Sequence, residues 1–282
     1  MLKILKLMQF VPSIRNYGKN NMQIIIPMTG HGSRFISKGY TRLKPFIKIH
    51  NTPMIEWVTS MFPGDEDNIT FICREEHLKS KKYIKPELQH AAHKARIFPV
   101  KNWIKRGPVS DVLRASSVID DNQPVLISYC DFFAGWDYKK FKSYIKKYDP
   151  DGSVPCYTGF HPHLIHKDNV YATCDVNKHY KLKQIREKFQ LNKNKFLDFQ
   201  SPGLYYFKSG AIMKKYCRQL VESKESINGE YYMSLPFNAM VSDGMIVLCP
   251  PVIDYFCQWG TPKDLSEYTY WMNAVKKINT NA

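Results

Sequence analysis

Short apolar runs alternate in the first half of the chain with stretches whose apolar residues recur at helical spacing. The strand-like runs span residues 23–28, 69–73, 97–100 and 124–128. Runs of this length are typical of strands buried on both faces of a parallel sheet. We predict one helix from Thr52, as its N-cap, to near Gly64, and another over residues 110–119. This order predicts an α/β fold with a doubly wound, mostly parallel mixed sheet.

From about residue 136 the pattern changes to short apolar runs among polar loops. Strand-like runs cover 153–157, 170–174 and 204–207, and helical patterns cover 212–221 and 231–240. This half predicts a smaller α+β lobe built onto the same sheet, followed by a C-terminal helix. Because no Gly/Ser linker divides the chain, we expect one domain over residues 22–282, with halves 22–135 and 136–282. Residues 1–21 are expected to be a flexible extension.

The first apolar run leads directly into a glycine-rich loop with basic residues. Gly30 and Gly32 precede Arg34, and Lys44 follows further along. Because glycine has no Cβ, backbone amides of such a loop can approach phosphate oxygens, while Arg and Lys neutralise the charge. Phe35 replaces the third glycine of a dinucleotide fingerprint, and the loop has no Gly-Lys pair of a P-loop. The loop therefore predicts a polyphosphate site of another kind.

The loop resembles the signature G-x-G-[ST]-R-x(n)-K-P of the sugar nucleotidyltransferases, or nucleoside-diphosphate-sugar pyrophosphorylases. The matching residues are Gly30, Gly32, Ser33, Arg34, Lys44 and Pro45. The resemblance implies the Rossmann-like nucleotide-diphospho-sugar transferase fold and Mg²⁺ as cofactor. It also implies that an NTP reacts with a sugar 1-phosphate, or a similar phosphorylated acceptor, and that pyrophosphate is released. The product would be an activated nucleotide-sugar for polysaccharide or glycan synthesis.

Nucleotidyl transfer is opposed by charge repulsion and by poor orientation of the reactants, so the protein needs cations rather than a covalent nucleophile. We expect the planar fork of Arg34 to bind the leaving β,γ-phosphates. Lys44, held by Pro45, is expected to bind the α-phosphate, where negative charge increases in the transition state. The predicted nucleotide-binding residues are Pro27, Met28, Thr29, Gly30, Gly32, Ser33, Arg34 and Gly107.

Asp131 follows the strand at 124–128 and therefore falls at the same sheet edge as the glycine loop. Carboxylate oxygens suit Mg²⁺, and the resemblance places the metal-binding Asp at this position. A segment near the C-terminus matches the family's D-x-G-T-P-x-D-L pattern except at Gln258, where a second metal-binding Asp is expected. Either one carboxylate and the phosphates suffice, or Asp254 or another acid substitutes, or activity is lost.

The resemblance also implies an acceptor-binding set in the second half of the chain. Glu187 and Lys188 correspond to a pair that binds a sugar hydroxyl and the acceptor phosphate, although a surface ion pair fits the sequence equally well. Gly203 falls in a strand similar to the family's acceptor-pocket strand. Glu230 stands at a predicted helix start, where it would contact sugar or cap the helix.

The amino-acid composition limits the classes of partner that we expect the protein to bind. The 282 residues include 41 basic and 25 acidic side chains, a net charge of +16, which favours polyanionic partners. Without zinc-finger spacing or an RNP-like motif, we expect anionic substrates and no nucleic acid. Seven cysteines without a C-x-x-C pair predict a reducing, cytoplasmic setting, and no apolar run is long enough for a membrane span. Whether the chain forms a homo-oligomer is left open.

Two other functions remain open at this point. One is a glycosyltransferase of related fold that consumes a nucleotide-sugar through a D-x-D metal motif, although Asp131 is followed by Phe132 and Phe133. Such an enzyme does not need Arg34 together with Lys44. The other is a catalytically inactive homologue that still binds nucleotide, which the amide at Gln258 would suit.

Overall fold

The computed structural model describes residues 22–165 and 171–280, so the predicted extension at 1–21 lies outside the described residues. The strands are β1 Gln23–Pro27, β2 Lys48–Ile49, β3 Thr52–Pro53, β4 Ile69–Arg74, β5 Arg96–Val100, β6 Val125–Ser128, β7 Phe132–Trp136, β8 Gly152–Ser153, β9 Ala172–Val176, β10 Leu182–Glu187, β11 Phe199–Gln200, β12 Leu204–Phe207, β13 Val247–Leu248 and β14 Ile253–Gln258. The α-helices are α1 Ser33–Ile36, α2 Met54–Thr59, α3 Glu75–Ser80, α4 Ile84–Ala91, α5 Pro108–Arg114, α6 Tyr138–Tyr148, α7 Gly210–Ser223, α8 Pro236–Ser242 and α9 Pro262–Thr280.

A seven-stranded sheet in the order β13-β8-β12-β6-β1-β4-β5 forms the centre of the molecule. Strands β6, β1, β4 and β5 are parallel, whereas β12 runs antiparallel to both β6 and β8. Ile25 of β1 pairs with Thr70 of β4 on one side and with Ile127 of β6 on the other. The predicted α/β class with a mostly parallel mixed sheet is confirmed.

Apolar side chains of β1 point to both faces of this sheet because successive residues of a strand alternate in direction. Ile24 and Ile26 belong to a core that includes Val58 of α2 and Leu88 of α4. Ile25 belongs to a second core on the opposite face, formed with α5, α7 and α8. The helices thus cover both faces, which is why the predicted strands lack polar alternation.

Small antiparallel sheets complete the second half. Strands β10, β9 and β11 form one of them, and β14 pairs with β7 so that Gln258 lies opposite Phe132. The amide of Trp259 then donates to the carbonyl of Asp131 at 3.1 Å. The β7–β14 pair therefore brings the C-terminal segment to the edge where β6 ends. None of the helices in the described ranges is long and apolar enough to cross a membrane.

Several predicted boundaries are wrong. Thr52 is not an N-cap, because Thr52 and Pro53 form β3 in a hairpin with β2, and the helix begins at Met54. Helix α5 ends at Arg114, and a short 3-10 turn at Ser116–Val118 continues it. The helix predicted over 231–240 begins only at Pro236.

Other differences reflect tertiary structure. Of the run at 153–157, only Ser153 belongs to a strand, because β8 is Gly152–Ser153 and Pro155 cannot donate to a ladder. Tyr157 forms an isolated bridge with Gln200. Of the run at 170–174, Val170 lies outside the described residues and the strand is Ala172–Val176. Helices α1, α3, α4 and α6 were not predicted, although Tyr138, Phe141 and Ile145 form a buried stripe on α6.

Candidate active site

A cavity of about 750 Å³ opens at the carboxyl ends of β1 and β6. The loop after β1 forms one wall, the segment before α5 forms another, and residues from the second half close the rim. The lining residues are 27–37, Lys44, Pro45, Trp103, Lys105, Gly107, Pro108, Asp111, Tyr129, Cys130, Asp131, Glu230, Tyr232 and Gly260. All the predicted nucleotide-binding residues line this cavity, as do Lys44 and Asp131.

The glycine loop turns sharply into α1. Gly32 has a φ of 64°, in the left-handed region, and a Cβ added there would lie 3.5 Å from the Cβ of Lys44. The carbonyl of Gly32 accepts from the amides of Phe35 and Ile36 at 2.9 and 3.1 Å. Gly30 is exposed, with no heavy atom within 4 Å of a Cβ built at that position. The loop is therefore held at Gly32 and accessible at Gly30.

Lys44 connects three segments at one side of the cavity. Its Nζ lies 2.6 Å from Oδ2 of Asp131 and donates to the carbonyl of Gly260 at 2.8 Å. The ammonium also lies 5.5 Å from the ring centroid of Phe35. Only 17% of the Lys44 side chain is exposed, so the charge is fixed rather than free in solvent. The structure thus places a partly buried cation where the segments after β1 and β6 meet the start of α9.

Asp131 is the cavity carboxylate best placed to hold a divalent cation. One third of its side chain, 33%, is exposed, and Lys44 is its ion-pair partner. Mg²⁺ commonly binds through one or two carboxylates and the phosphates of a substrate, so this donor set fits the ion that the family resemblance implies. The other acids that line the cavity, Asp111 and Glu230, are engaged elsewhere.

The C-terminal segment supplies no second carboxylate. Gln258 donates through Nε2 to Oδ2 of Asp264 at 2.8 Å, and both the amide and the hydroxyl of Thr261 donate to the same oxygen at 2.7 Å. Asp264 therefore stabilises the turn into α9. Asp254 is exposed and lies four residues before Gln258 on β14, about 13 Å along an extended strand. The extended strand thus places Asp254 away from Asp131, and the alternative that another acid substitutes for the missing Asp stays a prediction.

A buried polar network holds Thr29, in the loop that follows β1. Asp111, on α5, accepts hydrogen bonds from the hydroxyl of Thr29 and, at 2.9 Å, from Nε1 of Trp103. The guanidinium of Arg74 lies 3.4 Å from the centroid of the Trp103 ring, and its Nε donates to the carbonyl of Thr29. Burial raises the pKa of Asp111 to about 6, although the hydrogen bonds from Thr29 and Trp103 oppose the shift.

This network was not predicted from the sequence. One signal was available, because Asp111 is an acid between Val109 and Val112 on the buried face of α5. A carboxylate at such a position needs partners, which Thr29 and Trp103 provide.

Gly107 joins the two halves of the molecule. Its φ is 86°, and a Cβ there would lie 2.7 Å from the nitrogen and 2.8 Å from the oxygen of Tyr231. Around it, the Tyr231 amide donates to Arg106 at 2.8 Å and the Val109 amide donates to Tyr231 at 3.2 Å. Only glycine permits this approach of two backbones.

The predicted acceptor-binding residues differ in whether they line the cavity. Glu230 lines the cavity and forms an ion pair of 2.7 Å with Lys105, which raises the pKa of Lys105. Glu187 is partly buried; its carboxylate accepts from the hydroxyl of Ser234, and burial raises its pKa despite that bond. Glu187 therefore does not form a surface ion pair with Lys188. Lys105, which also lines the cavity, was not predicted.

The remaining predicted acceptor-binding residues, Lys188 and Gly203, lie against tyrosines that line the cavity. The ammonium of Lys188 lies 5.6 Å from the ring centroid of Tyr232, which lines the cavity. Gly203 has a φ of 108°, and a Cβ there would lie 2.9 Å from Cδ2 of Tyr129. Glycine at position 203 thus leaves room for the Tyr129 ring at the cavity wall.

Comparisons with known proteins agree with this geometry. Residues 23–270 match the family model described as nucleotidyl transferase. A nucleoside-diphosphate-sugar pyrophosphorylase from Vibrio cholerae RC9 superposes with a TM-score of 0.68 at 19% identity, covering 88% of this chain and 99% of that one. A UDP-glucose pyrophosphorylase solved with UDP-glucose gives 0.66 at 16% identity, covering 91% and 99%.

A further solved structure, of a candidate glucose-1-phosphate thymidylyltransferase from Bacillus anthracis, gives a TM-score of 0.69 at 16% identity and covers 89% of this chain and 94% of that one. Comparison with curated protein sequences gives no match. The structural similarities show a shared fold, and the family match extends from β1 into α9. The resemblance noted in the glycine loop is confirmed, and the chain belongs to the nucleotidyl transferase family.

Proposed function

We propose that the protein transfers a nucleotidyl group from an NTP to a sugar 1-phosphate, or a similar phosphorylated acceptor, in a Mg²⁺-dependent reaction that releases pyrophosphate. The observation that carries the proposal is the position of Lys44, whose ammonium is fixed between Asp131 and Gly260 beside the glycine loop. A single cleft thereby combines a fixed cation, a carboxylate for a divalent metal and backbone amides for phosphate.

Lys44 would act on the α-phosphate. The negative charge on that group increases as the acceptor oxygen attacks, and a fixed ammonium stabilises it most when little water competes. Moving Nζ from Asp131 to the phosphate exchanges one anionic partner for another, so the ammonium remains paired throughout. Arg34, exposed on the loop, would bind the leaving pyrophosphate in a bidentate manner.

Asp131 would hold Mg²⁺ together with phosphate oxygens of the substrate. When bound, the ion neutralises charge on the triphosphate and orients it for in-line displacement. If Lys44 binds phosphate, the Asp131 carboxylate would be released from their ion pair and could hold the metal.

A direct displacement suits the cavity better than a covalent intermediate. Cys130 is a cavity residue of nucleophilic type beside Asp131, but burial raises the pKa of its thiol to about 12. The thiol is therefore protonated and unreactive near neutral pH. The acceptor phosphate itself would attack from the side of the cavity lined by Glu230 and Tyr232.

The product would be an activated nucleotide-sugar for polysaccharide or glycan synthesis. We place the reaction in the reducing cytoplasm, because none of the seven cysteines, all of which lie in the described residues, forms a disulfide.

A pyrophosphate-release screen tests the proposal. The common NTPs are combined with a panel of sugar 1-phosphates and phospho-alcohols, with Mg²⁺ or with a chelator. The proposal expects pyrophosphate only when an NTP, an acceptor and Mg²⁺ are all present. Release of a nucleoside diphosphate from nucleotide-sugars would instead identify a glycosyltransferase. NTP binding by calorimetry without turnover on any acceptor would identify an inactive homologue.

A further inference from the structure

Three cysteines outside the cavity converge in the core. Cys156 follows β8, Cys174 lies in β9, and Cys249 follows β13. Their Sγ atoms all lie within 4.8 Å of one another, and the Sγ atoms of Cys156 and Cys174 are 3.8 Å apart. Sulfur ligands about 2.3 Å from a metal centre in tetrahedral arrangement are separated by about 3.8 Å, so the three sulfurs suit three of the four positions around a shared ion.

The three side chains are held by backbone contacts that fix their positions. The amide of Cys156 donates to Pro250 at 2.9 Å, and the amide of Cys249 donates to Tyr180 at 2.8 Å. Cys174 pairs with Ile185 of β10 and with Phe199 of β11. Because the donors sit on anchored strands, little order has to be acquired on binding a metal.

The surroundings decide which class of ion would bind. The three side chains are at most 1% exposed and belong to an apolar core. Three thiolates with a divalent cation carry a net charge of −1, whereas with a monovalent cation they carry −2, which is costlier to bury. Among the described residues, no His, Asp or Glu joins the group, which leaves an all-sulfur set typical of thiophilic metals.

We propose that Cys156, Cys174 and Cys249 form a structural site for one thiophilic divalent cation of the Zn²⁺ class. On binding, three S–H bonds break, three metal–sulfur bonds form and three protons are released. Because thiols must lose their protons to bind a metal, metal affinity is expected to increase with pH. The site does not depend on the reaction proposed for the cavity.

The location implies a role in joining the two halves of the second lobe. Cys156 and Cys249 follow strands β8 and β13 at one edge of the central sheet. Cys174 belongs to the three-stranded sheet, whose strand β10 ends at Glu187. A metal bound there would cross-link the two sheets. Its loss should increase hydrogen exchange in β9–β11 and leave β1 and β4 unchanged.

Metal analysis of the full chain tests the site. The wild type is refolded with Zn²⁺, passed over a weak chelating resin and measured for metal per chain, alongside Cys174→Ala, Cys249→Ala and Cys217→Ala. Cys217 is the matched control, because it is equally buried but contacts Met213 rather than the cluster. We expect one Zn²⁺ per chain in the wild type and in Cys217→Ala, and a loss of at least tenfold in the two cluster variants.

X-ray absorption of the wild type keeps the test decisive if a cluster variant does not fold. Three sulfur neighbours at about 2.3 Å from zinc would support the site. Zinc with only nitrogen and oxygen neighbours, or a wild type that retains no more metal than Cys174→Ala, would show that the cysteines are apolar packing alone. Preferential retention of Cu⁺ over Zn²⁺ would overturn the assignment to a divalent ion.

Discussion

The two sides of the cavity are constructed differently. On the nucleotide side, the loop at 27–34 and Lys44 come from one short stretch, placed by β1 at the carboxyl edge of a parallel sheet. On the acceptor side, the candidate residues come from separate segments, and of these only Glu230 lines the cavity directly. The difference teaches that the candidate phosphate-binding residues come from one local stretch, whereas Lys188 and Gly203 would influence the cavity only through the tyrosines Tyr232 and Tyr129.

The largest effect is expected on the nucleotide side. Lys44→Ala should lower kcat for pyrophosphate release by a hundredfold to a thousandfold, about 2.7 to 4 kcal/mol, because the fixed charge at the α-phosphate is lost. Steady-state kinetics measure the effect, with Lys48→Ala as control, since Lys48 is exposed on β2 outside the cavity. Full activity in Lys44→Ala would remove this lysine from the mechanism and with it the contrast between the two sides.

The second largest effect is expected at Gly107, where the two sides of the cavity meet. Gly107→Ala places a Cβ 2.7 Å from the Tyr231 nitrogen, so we expect a loss of about 3 kcal/mol in unfolding free energy. Gly244→Ala is the matched control, because Gly244 also has a positive φ, 80°, but has no atom within 4 Å of an added Cβ. Urea denaturation should show the larger loss for Gly107→Ala. Equal losses would mean that the halves tolerate separation at this point.

The polar network under the β1 loop predicts a pH dependence. The pKa of Asp111 is raised from 3.8 to about 6, so its protonated form is favoured in the folded state. Stability from this group is present below about pH 4 and is lost as the pH rises through about 6, a loss on the order of 3 kcal/mol. The difference in unfolding free energy between the wild type and Asp111→Asn, measured in urea across this pH range, should trace this loss. A flat difference for Asp111→Asn would contradict the burial argument.

The smallest effect is expected on the acceptor side. Glu187→Gln should raise the KM for the phosphorylated acceptor about tenfold and leave the KM for NTP unchanged. The reason is that Glu187 accepts a hydrogen bond from Ser234 on the acceptor side and does not itself line the cavity. Initial rates with each substrate varied in turn separate the two constants. Glu222→Gln, in an exposed position on α7, serves as control. An equal increase in both KM values would show that the two sides are not separable.

The nucleotide side was largely predictable from the sequence because its chemistry follows the strand pattern. Apolar runs located β1 and β6, and the rule that parallel strands end at one edge placed Lys44 near Asp131. The family resemblance supplied the rest of the set. The Gly260 carbonyl, however, reaches Lys44 only through the β7–β14 pairing, which no local pattern indicated.

The remaining parts depend on contacts between distant segments. Trp103 and Arg74 stack beneath the loop, and Lys105 pairs with Glu230, although nothing in the local sequence links these residues. The three core cysteines likewise come together only when β9 packs against the β8–β13 edge. Spacing along the chain is informative for one loop or one helix face, but not for side chains that meet across sheets.

The central claim is that Lys44, Asp131 and the glycine loop together bind the triphosphate and its metal. A crystal structure of the protein with Mn²⁺ and an NTP analogue that cannot be cleaved between the α- and β-phosphates tests it most directly. The account predicts an anomalous Mn²⁺ peak about 2 Å from the Asp131 carboxylate, phosphates against the amides of Gly30 to Ser33, and Lys44 Nζ moved to the α-phosphate. A metal bound away from Asp131, or a triphosphate that does not contact the loop, would contradict it.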